Sequence, residues 1–427
     1  MPLRVAQLPG DALALDPHEN GPAWAAQGSE PQAAELPTRP PRRASLLGAE
    51  WVTGSATLVV FLVIVVGIYG VWLGPLFLNT QSRMFDVYQN VPPMLLSLGI
   101  LICLACGQFD LSAGTMATLG TFLTVGLVVN QGLTLPEAIA VVLAVGVLGG
   151  LVNGFLVVRL HVNAFIATLG TGGVFGGLYT LYSNGQTISF STSKHSMAVS
   201  AWFTGLNSFG SFQLKPPLVL VWMTLAILFW GLFAVVRSRA RGSSRSRLYV
   251  GAVLVAEVLA AIALFVFGVP AEVNWTVLLL LVVAVAVWVL LRYTATGRHI
   301  YAIGGNPTAA RLAGVQVDRL QYLAFVLSAL FAAASGVVLA ADQGTAVPGI
   351  ADGFLLPAYA AAFLSTVILS SGRFHVWGTL IGGMAVIYIA QGIVTGGVSF
   401  VWTDVINGLV LIIAVALSTT LRRRATT

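Results

Sequence analysis

Charged residues are scarce in this chain, since Asp, Glu, Lys and Arg together make up only 8% of its 427 residues. Soluble domains carry about 25% charge, so a chain this poor in charge cannot cover a water-facing surface. Hydrophobic residues make up 57%, and many runs approach the ~18 apolar residues that span a bilayer as a helix. The ~10-residue alternating segments of a membrane β-barrel are absent. The composition therefore predicts an all-α, polytopic helical transmembrane bundle in a lipid bilayer.

Motifs for ATP binding and for several enzyme classes are also missing from the sequence. There is no G-x-x-x-x-G-K-[ST] phosphate loop, no G-x-S-x-G hydrolase elbow and no metal-ligand spacing among the five histidines. The C-x-x-C formed by Cys103 and Cys106 lies inside an apolar run without a nearby histidine, which favours two buried apolar residues over a redox or metal motif. We therefore predict no enzyme activity, no metal and no cofactor in this chain, with any ATP bound by a partner subunit.

The first 50 residues differ in composition from the rest of the chain. They are rich in Pro, Ala, Gln and Glu, and such a segment cannot bury enough apolar surface to become ordered. No apolar core of a signal peptide follows the first residues. We predict a disordered, Pro-rich cytoplasmic tail over residues 1–50 and a transmembrane domain over residues 51–427.

Apolar runs in the second region indicate about twelve spans, including short or broken helices. Their centres lie at 54–73, 93–107, 112–129, 137–158, 163–182, 217–236, 249–269, 275–292, 319–340, 354–371, 376–395 and 402–421. With a cytoplasmic N-terminus, only Arg83, Lys194 and Lys215 of the 21 basic residues fall in outside segments. The positive-inside rule therefore predicts that both termini are cytoplasmic. Because topology accounts for the basic charge, we predict no nucleic-acid partner.

The stretch CGQFDLSAGTMATLG, Cys106 to Gly120, places Asp110 between two short apolar runs. An acidic residue at membrane depth is costly and is a functional hypothesis by default. The surrounding glycines, with Gln108 and Ser112, predict a broken helix or a re-entrant turn, which is tolerated only inside protein or along a cavity. Asp110 could equally cap the next helix, and the two roles are compatible. Gln108, Asp110 and Ser112 are predicted residues of a translocation pathway.

A second polar stretch, HVNAFIATLGTGGVFGGLYTLYSNG, runs from His161 to Gly185. Asn163 occupies the position of a helix N-cap, and with Thr168 it is predicted to line the same polar pathway. The glycines of this stretch predict a smooth helix face that allows neighbouring helices to approach closely. These are Gly170, Gly172, Gly173, Gly176 and Gly177.

A basic, Gly-rich stretch, GRHIYAIGGNPTAARLAGVQVDR from Gly297 to Arg319, separates two strongly apolar runs. Residues Gly304–Asn306 are predicted to form a turn. Pro307 suits the first turn of a helix, where its missing N–H costs nothing, and Gly314 can end that helix. We predict a short amphipathic helix on the inner face of the membrane, either an ordinary interfacial helix or a docking element.

Together the three stretches resemble the permease subunits of ribose/xylose-type monosaccharide ABC importers. The stretch GRHIYAIGGNPTAARLAGV is similar to that family's cytoplasmic loop, GR-x-x-YAIGGNPEAARLAGI. FDLSAGTMATLG resembles its FDLSVG element, and NAFIATLGT resembles its PFIATLGT element. The matches follow the family's order from about residue 90 to 420, and the Arg-rich insertion at 237–270 resembles the xylose-type branch. Thr308 replaces the family's Glu, and Asn163 and Ala164 replace its prolines.

The resemblance implies a permease subunit that moves a monosaccharide, such as xylose or a related sugar, across the bacterial plasma (inner) membrane by alternating access. The implied partners are an ABC ATP-binding subunit, an extracytoplasmic sugar-binding protein and a second permease copy in a homodimer. The loop at 297–319 would then be the coupling loop that docks on the ATPase. Its predicted coupling residues are Asn306, Pro307, Ala309, Ala310, Arg311 and Gly314.

Two other transport mechanisms remain open from the residues alone. An ion-gradient-driven secondary sugar transporter should place paired carboxylates or cation sites near the midplane of the bilayer. Most carboxylates near the predicted spans fall at span ends; they are Asp110, Glu137, Glu257, Asp342, Asp352 and Asp404. A passive facilitator is the second alternative.

Overall fold

A computed structural model describes residues 64–192, 203, 212–213, 272–273, 275–368 and 373–426. The predicted tail over 1–50, the predicted spans at 217–236 and 249–269 and the insertion at 237–270 lie outside these residues. The first helices are α1 Ile64–Leu73, α2 Pro75–Leu78, α3 Thr80–Gln89, α4 Val91–Ala105, α5 Ala113–Val129, α6 Leu135–Gly154 and α7 Ala164–Ser183. The others are α8 Trp275–Tyr293, α9 Ala295–Gly305, α10 Pro307–Leu312, α11 Val317–Gln343, α12 Leu355–Ile368, α13 Val376–Thr395 and α14 Thr403–Thr426.

Several of these helices have the length and composition of membrane spans. Within the described ranges, five are long and apolar enough to cross a membrane: α6 with its π-helical continuation Phe155–Arg159, α7, α8, α11 and α13. Helices α1, α4 and α5 and the segment Phe400–Ala416 are apolar but shorter. The prediction of a polytopic helical membrane protein with short or broken helices is confirmed.

Helix α11 lies at the centre of the bundle and packs against α4, α5 and α6. The contacts are close because small residues face each other. A Cβ atom added at Gly150 of α6 would lie 2.4 Å from the Cα atom of Val326, and one added at Gly336 would lie 2.3 Å from the carbonyl oxygen of Ala117. Lipid provides no hydrophobic driving force between helices, so close van der Waals packing of this kind stabilises the bundle.

Helices α12, α13 and α14 pack on one another beside this centre, and α12 also contacts α4. Their shared core contains Ala360, Leu364, Val386 and Ala414. Two short antiparallel strand pairs complete the described structure. Strand β1 (Ile188–Ser189) pairs with β4 (Thr345–Ala346), and β2 (Phe212–Gln213) pairs with β3 (Glu272–Val273). The first pair joins the chain after α7 to the chain after α11.

Two segments interrupt the succession of α-helices inside the bundle. Residues 106–112 separate α4 from α5, as the sequence predicted, and residues 344–354, which end in the 3-10 helix Asp352–Phe354, separate α11 from α12. The Ala351 backbone N–H donates to the Thr118 hydroxyl oxygen at 3.2 Å, and that hydroxyl donates to Oδ1 of Asp352 at 2.8 Å. The second segment is therefore fastened to the first turns of α5.

The helix ends of the basic loop differ in one respect from the prediction. Residues Gly304 and Gly305 do not form a turn with Asn306 but complete α9, and Asn306 alone joins α9 to α10. Helix α10 begins at Pro307 as predicted. It ends just before Gly314, whose φ of +82° is readily adopted only by glycine.

The predicted single glycine face of α7 is wrong. A Cβ atom at Gly172 would lie 3.3 Å from the Thr115 hydroxyl and 3.4 Å from the Ser112 Cα atom, so this residue points into the bundle. A Cβ atom at Gly170, Gly173 or Gly177 would meet nothing within 4 Å. The glycines of α7 thus divide between an inner and an outer face.

Candidate translocation cleft and coupling segment

Asp110 is fully buried in the break between α4 and α5. Its Oδ1 atom accepts hydrogen bonds from the Ser112 backbone N–H at 3.0 Å and from the Ser112 hydroxyl at 2.6 Å. The Tyr359 hydroxyl of α12 accepts from the Asp110 N–H at 3.0 Å and donates to the Asp110 carbonyl at 3.1 Å. The Asp110 side chain therefore satisfies hydrogen-bond donors within the break, while Ser112 is the N-cap residue of α5.

The network around Asp110 extends to α6 and α7. The Asn153 side-chain amide donates to the Ser112 hydroxyl at 2.9 Å and accepts from the Thr171 hydroxyl at 2.6 Å. The Leu111 N–H donates to the Thr168 hydroxyl at 3.0 Å. These bonds connect the break to the neighbouring helices α6 and α7 through buried polar side chains. Asn153 and Tyr359 were not identified from the sequence, where their only signal is a lone polar group within an apolar run.

The second carboxylate oxygen of Asp110, Oδ2, differs from Oδ1 in its hydrogen bonding. Among the described residues, Oδ2 has no hydrogen-bond partner that meets distance and angle requirements. The Ser328 hydroxyl on α11 is likewise buried without such a partner. The break is therefore linked to α12 through the hydrogen bonds between Tyr359 and the Asp110 backbone.

A cleft of about 620 Å³ opens beside the break. Gln108 and Phe109 form part of one wall, and Asn163 and Phe165 from the start of α7 form another. The Phe109 ring stacks on Tyr359 with centroids 6.1 Å apart and an interplanar angle of 19°. The cleft thus combines two amides with aromatic rings, in a lining that is otherwise mostly apolar.

The structure separates the five predicted pathway residues into two groups. Gln108 and Asn163 line the cleft, and Asn163 also caps α7 by accepting from the Phe165 N–H at 2.9 Å. Asp110, Ser112 and Thr168 are fully buried behind the wall. In this structure these three residues support the cleft wall and do not line the cleft, and their place in a translocation pathway stays a prediction.

Helix α10 is the second candidate site, and most of it is exposed. The Asn306 side chain caps it by accepting from the Ala309 N–H at 3.0 Å. Arg311 forms an ion pair with Asp318 at 2.6 Å. Because both side chains are more than 60% exposed, this pair contributes little to stability.

The face that α10 presents differs from the predicted one. Ala310 is only 5% exposed and belongs to the chain's own core, so its predicted place on an outer docking face is wrong. Leu312, which the sequence did not single out, is 86% exposed. Pro307, Ala309 and Arg311 are exposed as well, so the free surface of α10 combines one large apolar side chain with small and basic residues.

The described chain is a bundle of apolar helices with an internal break, a cleft beside it and a short exposed helix. A family model described as branched-chain amino acid transport system / permease component matches residues 86–415, and the chain belongs to this family. It is thus an ABC transporter permease, a transport component rather than a catalytic subunit, and ATP is bound by a separate ATPase subunit.

Three relatives illustrate the similarity. The xylose transport system permease protein XylH of Haemophilus influenzae is 25% identical over 335 residues, which cover 77% of this chain and 86% of that protein. The ribose import permease protein RbsC of Escherichia coli K12 is 25% identical over 335 residues, covering 78% and 84%. The probable ABC transporter permease protein YphD of Escherichia coli K12 is 33% identical over 148 residues, covering 34% and 45%. No solved structure matches the chain. Equal identity to XylH and RbsC does not distinguish the predicted xylose-type branch.

The hydrogen bonds of Asp110 predict a difference between two substitutions. Asp110→Asn keeps the Oδ1 acceptor for Ser112, whereas Asp110→Ala leaves a buried N–H without a partner. An unsatisfied buried donor costs about 1–3 kcal/mol, so we expect a clear loss of thermal stability for Asp110→Ala and little change for Asp110→Asn. Thermal unfolding of the detergent-solubilised protein measures both. Equal destabilisation by Asn would show that the negative charge, and not the acceptor, is what the break requires.

Proposed function

We propose that this chain is the permease subunit of an ATP-driven importer for a monosaccharide, namely a pentose such as xylose or a related sugar. It acts as a homodimer with an ABC ATP-binding subunit on the inside and a sugar-binding protein on the outside. Transport proceeds by alternating access in the bacterial inner membrane, with both termini in the cytoplasm. The observation that carries this proposal is the cleft at the break, whose chemistry suits a neutral sugar, in a chain related to permeases named for xylose and ribose.

The lining of the cleft supports a neutral polar substrate. The side-chain amides of Gln108 and Asn163 can each donate and accept, as sugar hydroxyls require. The rings of Phe109, Tyr359 and Phe363 offer flat apolar surfaces for the C–H faces of a sugar ring. No Asp, Glu, Lys, Arg or His lines this cleft. The cleft therefore offers no negative side chain for the ammonium group of an amino acid and no positive side chain for its carboxylate.

The placement of carboxylates argues against coupling to an ion gradient. A secondary transporter should pair acidic residues or build a cation site in the bundle. Across the described ranges, no group of three or more His, Cys, Asp or Glu residues could hold a metal ion. Asp110 accepts from Ser112, and Asp352 accepts from Thr118 and, at 3.4 Å, from Tyr179. These two carboxylates act as local hydrogen-bond acceptors.

The exposed helix α10 supports coupling to a partner on the inside. Loop 297–319 lies in an inside segment of the predicted topology, and Leu312 projects from α10 with most of its surface free. A single exposed leucine on a short rigid helix can fill an apolar pocket of an ATPase subunit. We therefore place the docking contact at Leu312, Ala309 and Arg311, while Ala310, Asn306, Pro307 and Gly314 give α10 its position and ends.

Reconstitution tests the proposed energy source and substrate together. We expect proteoliposomes that hold this chain with its cassette subunit and a loaded sugar-binding protein to take up labelled xylose or ribose, but not leucine, only when ATP reaches the cassette. The chain without the cassette is the control. Uptake driven by a proton or sodium gradient alone would indicate a secondary transporter, and downhill uptake without cassette or gradient would indicate a facilitator. ATP-dependent leucine uptake would contradict the sugar assignment.

The cleft makes a separate prediction about Gln108. Gln108→Leu keeps the size of the side chain but removes the amide, so sugar uptake should fall several-fold while cassette binding stays unchanged. Gln108→Asn, which keeps an amide on a shorter side chain, should recover part of the uptake. Initial uptake rates in the reconstituted system measure both variants. Full uptake by Gln108→Leu would place the sugar path elsewhere.

The docking contact makes a prediction about Leu312. Burying a leucine side chain contributes about 1.5–3 kcal/mol, so Leu312→Ala should weaken cassette binding roughly 10- to 100-fold. Co-purification and titration of the cassette measure this loss. Leu160→Ala serves as the control, because Leu160 is another exposed leucine in a predicted inside segment but is not part of α10. Unchanged binding by Leu312→Ala would identify α10 as an ordinary interfacial helix.

A further inference from the structure

Helix α9 directly precedes the exposed helix α10, and only Asn306 separates the two helices. The C-terminal end of α9 crosses the end of α4 at backbone contact. A Cβ atom added at Gly304 would lie 2.2 Å from the Ala105 carbonyl oxygen and 3.3 Å from the Gly107 nitrogen. One added at the adjacent Gly305 would meet nothing within 4 Å. Only the first of these two glycines is therefore pressed against α4.

The contact at Gly304 reaches the cleft within a few residues. Ala105 ends α4, and Gly107 has a φ of +78° and leads directly into Gln108 and Phe109. Gly107 is thus a point at which the backbone turns immediately before the cleft wall. A displacement of α9 at Gly304 changes the position of this turn without any intervening side chain.

A second contact joins α9 to the other side of the cleft. The Tyr301 hydroxyl donates to the Phe374 carbonyl oxygen at 2.7 Å. Burial raises the pKa of Tyr301 to about 12, although Arg373 and Arg292 oppose this shift. The hydroxyl therefore remains protonated, and able to donate, throughout the physiological pH range.

From Phe374, ring contacts continue to the cleft wall. The Phe374 ring packs edge-on against Phe363 with centroids 5.7 Å apart, and Phe363 stacks on Tyr359 at 6.4 Å. Tyr359 in turn stacks on Phe109 and binds both backbone groups of Asp110. Helix α9 thus contacts the cleft wall by two separate routes, one through backbone and one through aromatic rings.

We propose that α9 transmits the movement of the coupling helix to the cleft, with Gly304 and Tyr301 as its two positioning residues. This inference rests on the proposed function, since it requires that a cassette moves α10. A close-packed contact such as that at Gly304 switches between discrete arrangements and does not deform gradually.

The test compares two neighbouring substitutions, Gly304→Ala and Gly305→Ala, in the full reconstituted complex. Both replace a glycine at the end of the same helix, but only the first forces a methyl group against Ala105. We expect Gly304→Ala to keep cassette co-purification and ATP hydrolysis, while sugar molecules imported per ATP hydrolysed fall at least tenfold. Gly305→Ala should match the wild type. This ratio does not depend on the amount of folded complex, so simple destabilisation would leave it unchanged.

Tyr301→Phe provides an independent variant, because it removes only the hydroxyl and adds no volume. We expect the number of sugar molecules imported per ATP hydrolysed to fall several-fold. If Gly304→Ala fails to assemble, Tyr301→Phe alone tests whether α9 transmits the movement. A wild-type ratio in Tyr301→Phe and in an assembled Gly304→Ala would overturn the inference. Loss of cassette binding in Tyr301→Phe would also overturn it, because α9 would then act in docking. Failure of the proposed function is distinguishable, since the wild-type complex itself would then show no ATP-dependent uptake.

Discussion

The break between α4 and α5 must satisfy its backbone polar groups within the protein, because lipid offers no hydrogen bonds. The N–H and carbonyl groups of Asp110 are both engaged by Tyr359, and the N–H groups of Leu111 and Ser112 by Thr168 and Asp110. This requirement fixes α12 and α7 against the break. The cleft lies where these three elements meet, so its position follows from the hydrogen bonding of an interrupted helix.

The same constraint separates a fixed part of the bundle from a part that can move. Helix α11 is held at backbone distance by glycines and alanines of its neighbours, which leaves no space for a gradual shift. Helices α9 and α10 lie at the edge of this packed centre, and their contacts with it are few and specific. Energy supplied from outside the bundle therefore reaches the cleft through those contacts and not through the centre.

The features that were predictable from the sequence are those with local causes. Asn163 caps α7, Pro307 begins α10 and Gly314 follows its end, because caps and breakers act within a few residues. The features that were missed depend on contacts distant in sequence. Gly304 is helical where it packs on Ala105, and Ala310 faces the core because of how α10 lies on the bundle. Likewise the sequence identified polar residues in apolar runs, but could not tell those that line the cleft from those that support it.

The sparse charge of the chain also limits where the energy for transport can enter. Asp110 is completely buried and hydrogen-bonded to Ser112, so using it to bind and release a cation would break the hydrogen bonds that hold the cleft wall. The exposed pair of Arg311 and Asp318 is too weakly coupled to supply a conformational driving force. Among the described residues of the predicted inner side, Leu312 offers a largely exposed apolar surface on a short, capped helix. A partner that buries this side chain gains binding energy and is at the same time connected to α9. A chain that has no ATP site of its own can therefore receive the energy for transport from another subunit through this contact.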